Sequence, residues 1–277
     1  MLLRGKKIAR MKVVLFCGGQ GMRLREFSDK IPKPMVPIGN RPILWYIMKY
    51  YAHYGHKEFI LCLGYQGDTI KDYFVNYHEY VSNDFVFSNG TNLNLISKDI
   101  DDWRITFVDT GINSSMGERL MAVEKYLEKD ETFLVNYSDV LTDLPLPEMI
   151  NEFQTSNSVG MFLATQPQRS FHVVYFNKDK EVTCIDSLND SGFWINGGYF
   201  IFKREIFNYL KRGDDLVEDA LPKLIEQREL LAYPYTGTWI TMDTFKEKQM
   251  LDDRYAKGDT PWEVWKIDKL KRKLEVA

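Results

Sequence analysis

The 277 residues carry 36 Lys and Arg against 39 Asp and Glu, a net charge of −3, with 44% apolar and 27% charged side chains. This balance belongs to a globular chain and argues against nucleic acid or an anionic membrane as the main partner. A phosphorylated ligand must then be met by a few cations gathered locally, and three scattered cysteines, Cys17, Cys62 and Cys184, forming neither a disulfide framework nor a metal pattern, fit a cytoplasmic setting.

Residues 1–11 read as a short basic extension, with Met11 a possible natural start. "MKVVLFC" then reads as a buried strand that ends on Gly18, Gly19 and Gly21. The turn obeys neither usual nucleotide rule. Leu24 stands where the Rossmann fingerprint has its third glycine, and Met22-Arg23 stand where a Walker loop has Lys-Ser/Thr. Three glycines in four residues still exceed the needs of a strand-to-helix turn, and backbone amides with the Arg23 fork suit a polyphosphate. In "KIPKPM", Pro32 and Pro34 stiffen the backbone that carries Lys33. The segment fits an aimed phosphate-neutralising lysine or an ordinary surface loop.

"RPILWYIMKYYAHYG" predicts a helix with Ile43, Ile47 and Tyr50 on one face, and "EFILCLGY" a second buried strand. "DTIKDYFVNYHEY" predicts a helix, and residues 81–103 a polar surface excursion. A third strand, "RITFVDTG", ends at Thr110 and Gly111. The helix "GERLMAVEKYLEKD" presents Leu120, Val123 and Leu127, and "ETFLVNYSD" is a fourth strand ending in Asp139. This alternation predicts an α/β fold, a Rossmann-like, mostly parallel sheet flanked by helices, with ligands at the carboxyl ends of the strands.

The second half is less regular. "SVGMFLAT" reads as a strand, "FHVVYF" and "EVTCID" pair around "NKDK", and "FWINGGYFIF" is a strand interrupted by Gly197 and Gly198. Those glycines with Asn196 suit close contact with a sugar or base, or a bulge. Helices are expected over 204–212, 217–229 and 244–257. The simplest organisation is one domain, 12–277, with a nucleotide part at 12–145, a sugar part at 146–243 and C-terminal helices at 244–277. Asp139 and Asp243 are each compatible with a local cap or turn, the latter through the Thr244/Glu247 capping-box spacing. Two such acids in a chain with a phosphate loop also resemble a split Mg²⁺ or Mn²⁺ site.

Taken together, "GGQGMRL", "KIPKPMVPIGNRPILW", "FILCLGYQGDTIKDYF", "WRITFVDTG", "GERL", "YSD", "WINGGYF", "MDTFKEK" and "PWEVW" resemble the sugar-1-phosphate nucleotidyltransferase family, and within it the glucose-1-phosphate cytidylyltransferases. The likeness runs from about Met11 to Trp265. It implies a nucleotidyltransferase, or glycosyltransferase-A-like, fold that binds a nucleotide and a sugar phosphate, in a homo-oligomer. Gly18, Gly19 and Gly21 would hold the nucleotide, with Arg119 of "GERL" as a further contact. Arg23 would face the β,γ-phosphates, Lys33 the α-phosphate, and Asp139 with Asp243 the metal. The chain departs from the family pattern at Met22 for a threonine, at Ser138 for a glycine, and by lacking any lysine or arginine between Lys180 and Lys203, where the family carries the lysine of Glu-Lys-Pro. His172 stands where the family usually has a glycine, and an imidazole can move protons. These last two departures raise an alternative activity, an isomerase or mutase that opens and recloses the ring of a preformed NDP-sugar.

Overall fold

A computed structural model of the chain describes residues 9–19, 31–167, 172–188 and 192–268. In chain order its strands are β1 (Lys12–Phe16), β2 (Pro37–Ile38), β3 (Arg41–Pro42), β4 (Glu58–Leu63), β5 (Phe85–Ser88), β6 (Asn92–Leu95), β7 (Arg104–Asp109), β8 (Thr132–Asn136), β9 (Val140–Thr142), β10 (Gly160–Thr165), β11 (His172–Phe176), β12 (Val182–Ser187), β13 (Ile195–Lys203), β14 (Leu230–Tyr235) and β15 (Trp239–Thr241). The α-helices are α1 (Ile43–His53), α2 (Gly67–Val75), α3 (Met116–Val123), α4 (Leu146–Gln154), α5 (Leu221–Glu226) and α6 (Phe245–Ala256).

Seven strands form one sheet in the order β14-β10-β13-β8-β1-β4-β7. β1 pairs in parallel with β4 and β8, β4 with β7, and β10 with β14, while β13 runs antiparallel to β8 and β10. The mostly parallel sheet expected from the sequence is therefore observed. Strands from both halves of the chain share it. The continuous apolar runs are explained by burial on two faces. Val13 and Leu15 of β1, with Phe59 and Leu61 of β4, face a core closed by α1 and α4. Val14 and Phe16, with Ile60 and Cys62, face the opposite core, closed by Leu120 and Val123 of α3 and by Leu221 and Leu224 of α5. No helix among the described residues is long and apolar enough to cross a membrane.

Three expectations change. The helix expected over 204–212 is a 3₁₀ segment, Arg204–Tyr209. The helix expected over 217–229 opens as a π turn, Leu216–Ala220, and becomes α-helical only over Leu221–Glu226. Pro222 sits in the first turn of that α-helical part, where its missing amide is tolerated. Asp215 caps the segment from outside by accepting from the amides of Val217 and Glu218 at 2.8 and 3.2 Å. The excursion at 81–103 contains a hairpin, β5 with β6. Its base is tied to α1 by Lys49–Asp99 at 2.8 Å and to β3 by Arg41, whose guanidinium donates to Ser82 Oγ and stacks over Tyr77. The pairing of β11 with β12 around the "NKDK" turn is as expected.

Beside β1, His56 is 1% exposed and accepts the Met11 amide on Nδ1 at 3.1 Å. Burial holds its pKa down to about 4 against 6.5. Because the folded value lies below the unfolded one, the neutral ring's contribution is full above pH 6.5 and is lost as the pH falls toward 4. Denaturant titrations at pH 7 and 4.5 should show about 2–3 kcal/mol of this loss. His56→Asn, which keeps an acceptor at the same reach, should lack it.

Candidate active site

The carboxyl ends of the parallel strands carry the residues singled out by sequence. β1 runs out through Cys17 to Gly18 and Gly19, β4 to Gly64, β7 to Thr110 and Gly111, and β8 to Asp139. Gly21 and Arg23 lie outside the described residues.

A three-residue ribbon sets the acidic pair. β9 begins directly after Asp139, and β15 ends two residues before Asp243; the two strands pair antiparallel, Val140 opposite Thr241. The start of one is thereby laid beside the end of the other, and the Met242 amide donates to the Asp139 carbonyl at 3.1 Å. The backbone of Asp243 is fixed by the cap of α6. Its amide donates to Glu247 Oε2 at 2.7 Å, within the Thr244/Glu247 capping box. The helix-start reading of Asp243 is observed one residue on, since Thr244 is the cap, while the Asp243 carboxylate also faces Asp139's partner.

That partner is Lys33. Its Nζ lies 2.6 Å from Asp139 Oδ2 and 2.5 Å from Asp243 Oδ1, with all three side chains less than a quarter exposed. Pro32 and Pro34 frame a 3₁₀ turn, Lys33–Met35, whose Pro34 and Met35 are buried. The lysine thus stands on a stiff, anchored base. Burial alone would lower the ammonium's pKa, but the two carboxylates outweigh it and hold it above its usual range. Burial, with Asp243 adding to it, pushes the Asp139 carboxyl above its usual range despite Lys33.

Ser138, just before Asp139, explains the family's glycine at this place. Its φ is +64, a left-handed conformation that costs a β-carbon-bearing residue about 1–2 kcal/mol. Its side chain is buried and offsets the strain by donating to the Phe16 carbonyl at 2.6 Å, while its amide donates to Asn136 Oδ1 at 2.7 Å. Cys17 lies beside it, and burial pushes its thiol up to about 12, which excludes it as a nucleophile at neutral pH.

Arg119 is 4% exposed and works within the protein. Its guanidinium donates to the carbonyls of Gly18, Leu63 and Ile112 and to Thr110 Oγ1, at 2.7 to 3.2 Å. It therefore ties together the ends of β1, β4 and β7. A Cβ on Gly18 would stand 2.0 Å from its Nη1, so that glycine is required by the arginine, whereas a Cβ on Gly19 would meet nothing within 4 Å. Among the described residues, Gly19 is the open side of the turn.

Gly64 escaped the sequence reading. A Cβ there would lie 2.6 Å from the Gly18 carbonyl oxygen and 2.9 Å from that of Gly111, both backbone atoms. Nothing in "CLGYQ" marks it apart from the glycine itself. Gly64→Ala should cost about 1–3 kcal/mol in denaturant titration by forcing the strand ends apart.

Beyond the acids opens a cavity of about 450 Å³ lined by Tyr137, Pro167, Ile195, Asn196, Trp239 and Met250 among others, with Asp139 and Asp243 at its edge. No lysine or arginine is among its described lining residues. The Asn196-Gly197-Gly198 segment is a bulge. The register with β10 jumps between Phe162 and Ala164, Gly198 has φ +76 beneath the Tyr137 ring, and the Gly197 carbonyl accepts from Trp239 Nε1 at 2.9 Å. Asn196 spans the bulge, taking the Gly198 amide on Oδ1 and donating to Tyr137 Oη, both at 2.9 Å. His172 begins the exposed β11–β12 ribbon, is itself exposed, and is not among the described residues lining the cavity.

The nucleotidyl transferase family model matches residues 12–252. A glucose-1-phosphate cytidylyltransferase of Salmonella typhimurium is 36% identical over 257 residues, 92% of this chain and 100% of that protein. A probable glucose-1-phosphate cytidylyltransferase of Bacillus subtilis is 35% identical over the same shares. Among solved structures, a UDP-glucose pyrophosphorylase complexed with UDP-glucose superposes with a TM-score of 0.67 at 17% identity, over 90% of this chain and 100% of that one. HddC from Yersinia pseudotuberculosis, complexed with GMP-PN, superposes with a TM-score of 0.62 at 22% identity, over 88% and 99%. The two structural likenesses bear on the fold. With the similar curated proteins being transferases, ring interconversion is not the favoured reading.

Proposed function

This chain belongs to the nucleotidyl transferase family, and we propose that it joins a nucleoside triphosphate, CTP foremost, to a sugar 1-phosphate, giving an NDP-sugar and pyrophosphate. A phosphate oxygen of the sugar 1-phosphate attacks the α-phosphorus, and the bond from that phosphorus to the pyrophosphate oxygen breaks. Such a reaction asks for positioning and charge neutralisation more than for covalent help from the protein. The observation that carries the reading is the meeting of Lys33, Asp139 and Asp243 at the edge of the cavity. Identity of 36% to a cytidylyltransferase supports cytidine as the base.

In this reading the turn at Gly18 and Gly19, with Thr110 and Gly111, receives the nucleotide, and Lys33 the α-phosphate. Gly21 and Arg23 would complete the polyphosphate cradle. Arg119 shapes the turn by holding the Gly18 carbonyl. The acceptor sugar takes the cavity beside Asn196. Asp139 and Asp243 would hold Mg²⁺ or Mn²⁺. The fit is supported by their convergence on one cation, the Lys33 ammonium, and by the habit of Mg²⁺ to take one or two carboxylates and leave its other positions to phosphates and water. When bound, the ion supplies charge neutralisation at the phosphates. Assembly as a homo-oligomer is part of the same proposal and is read by light scattering.

The test is pyrophosphate release from CTP and glucose 1-phosphate with Mg²⁺, compared with UTP, GTP and dTTP and with other sugar 1-phosphates. Release should be fastest with CTP. No release with any pair would overturn the function, and release with another triphosphate alone would overturn the base.

A further inference from the structure

We propose that Lys33 is the place-keeper of the metal site: its ammonium holds Asp139 and Asp243 together until substrate arrives, and leaves them only in exchange for a nucleotide phosphate. This rests on the transferase reading of the site.

Two carboxylates that share one amine are mutually repulsive, and in a partly dehydrated setting they stay ionised side by side only with a cation between them. Lys33 is that cation, at 2.6 and 2.5 Å. Three described contacts fix its surroundings. The Met242–Asp139 backbone bond ties the two acid-bearing segments, the Glu247 cap holds the Asp243 backbone, and the 3₁₀ turn behind Pro32 holds that of Lys33. What can move is the lysine's own flexible stem of four carbons.

The consequence is a coupling between two ligands. A divalent cation approaching the acids alone meets an ammonium already in contact with both, and must either bind beside a like charge or expel it from its partners. A nucleotide that arrives with the cation offers the expelled ammonium a phosphate. Each ligand therefore strengthens the other, by the same factor in both directions.

The experiment follows free Mn²⁺ by electron paramagnetic resonance, with and without the α,β-methylene analogue of CTP, for the wild type, Lys33→Met and Asp139→Asn. In the wild type the analogue should tighten Mn²⁺ binding by roughly tenfold or more, within the usual span of such couplings. Lys33→Met should bind Mn²⁺ more tightly than the wild type when nucleotide is absent, and gain little from the analogue. Lys33→Met no tighter than the wild type, with Asp139→Asn still abolishing binding, would overturn the place-keeper and leave the metal reading intact. No Mn²⁺ bound by the wild type even with the analogue, or binding untouched by Asp139→Asn, would overturn both. Should Lys33→Met not fold, the wild type decides alone: independent binding of Mn²⁺ and analogue overturns the exchange.

Discussion

Asp243→Asn is expected to fold with nearly wild-type stability and to lose about 10³-fold or more in kcat, whereas Lys33→Met loses both activity and stability. The difference follows from the charges. Asp139, Lys33 and Asp243 together carry a net charge of −1. Removing one carboxylate leaves a balanced Lys33–Asp139 pair at 2.6 Å, so the change in stability should stay within about 1 kcal/mol. Removing the lysine leaves two largely buried carboxylates facing one another, and breaking a buried pair in this way typically costs about 3–5 kcal/mol. Activity responds otherwise. Losing a preorganised group that stabilises charge in the transition state costs about 10²–10³ in kcat, and each acid would also hold the metal. Because the Lys33 ammonium lies above its usual range, its share of the stability is complete below pH 10.5 and fades only at still higher pH. The Asp139 carboxyl lies above its usual range, so protonating it favours the fold, and the site is not where acid denaturation begins. Steady-state kinetics and denaturant titration of the two variants check this pattern. Equal stability losses would show that Lys33 is not the counter-ion of both acids.

The central parallel strands β1, β4 and β8 were legible because each is buried on two faces and therefore reads as an unbroken apolar run. The acids and Lys33 were legible one by one, as strand-end and proline-framed residues. That the two acids share one site was read from their chemistry, but the ribbon that joins them was not, since it is β9 against β15, two strands of three residues, too short for any periodicity to show. β14 was hidden by Pro234, which a strand tolerates only because it lies at the sheet edge. The hairpin β5–β6 was hidden because a surface ribbon with no core to face imposes no alternation. The glycines were harder still. "NGG" suggested a ligand contact, yet Gly198 is explained by a left-handed φ under Tyr137 and Gly197 by the crowding of Leu163. Gly64, which answers to two carbonyl oxygens from distant parts of the chain, left no local sign. His172 stood out by its chemistry alone, and chemistry does not say where a ribbon ends.

Arg119→Met should destabilise the protein by about 2–4 kcal/mol with no nucleotide present, because it leaves buried oxygens without their charged donor. The sum stays well below four separate losses. The Leu63 carbonyl keeps the Thr110 amide at 3.0 Å and Thr110 Oγ1 at 2.7 Å, and the Gly18 carbonyl keeps the Tyr65 amide at 3.3 Å. Ile112 O and Thr110 Oγ1 bear more of the change. Arg119→Lys should fall between, since one ammonium cannot reproduce a fork that serves strand ends on three sides. Both variants should raise the KM for the nucleotide more than they lower kcat, because the Gly18-Gly19 turn loses the hold on its carbonyl before any chemistry begins. Thermal denaturation without ligand, set beside the kinetics, separates this positioning role from direct contact. Wild-type stability combined with a severe loss of nucleotide affinity would assign Arg119 to the nucleotide itself, as the family resemblance implies. Loss of stability in the free protein assigns it to the strand ends, where its four bonds already lie.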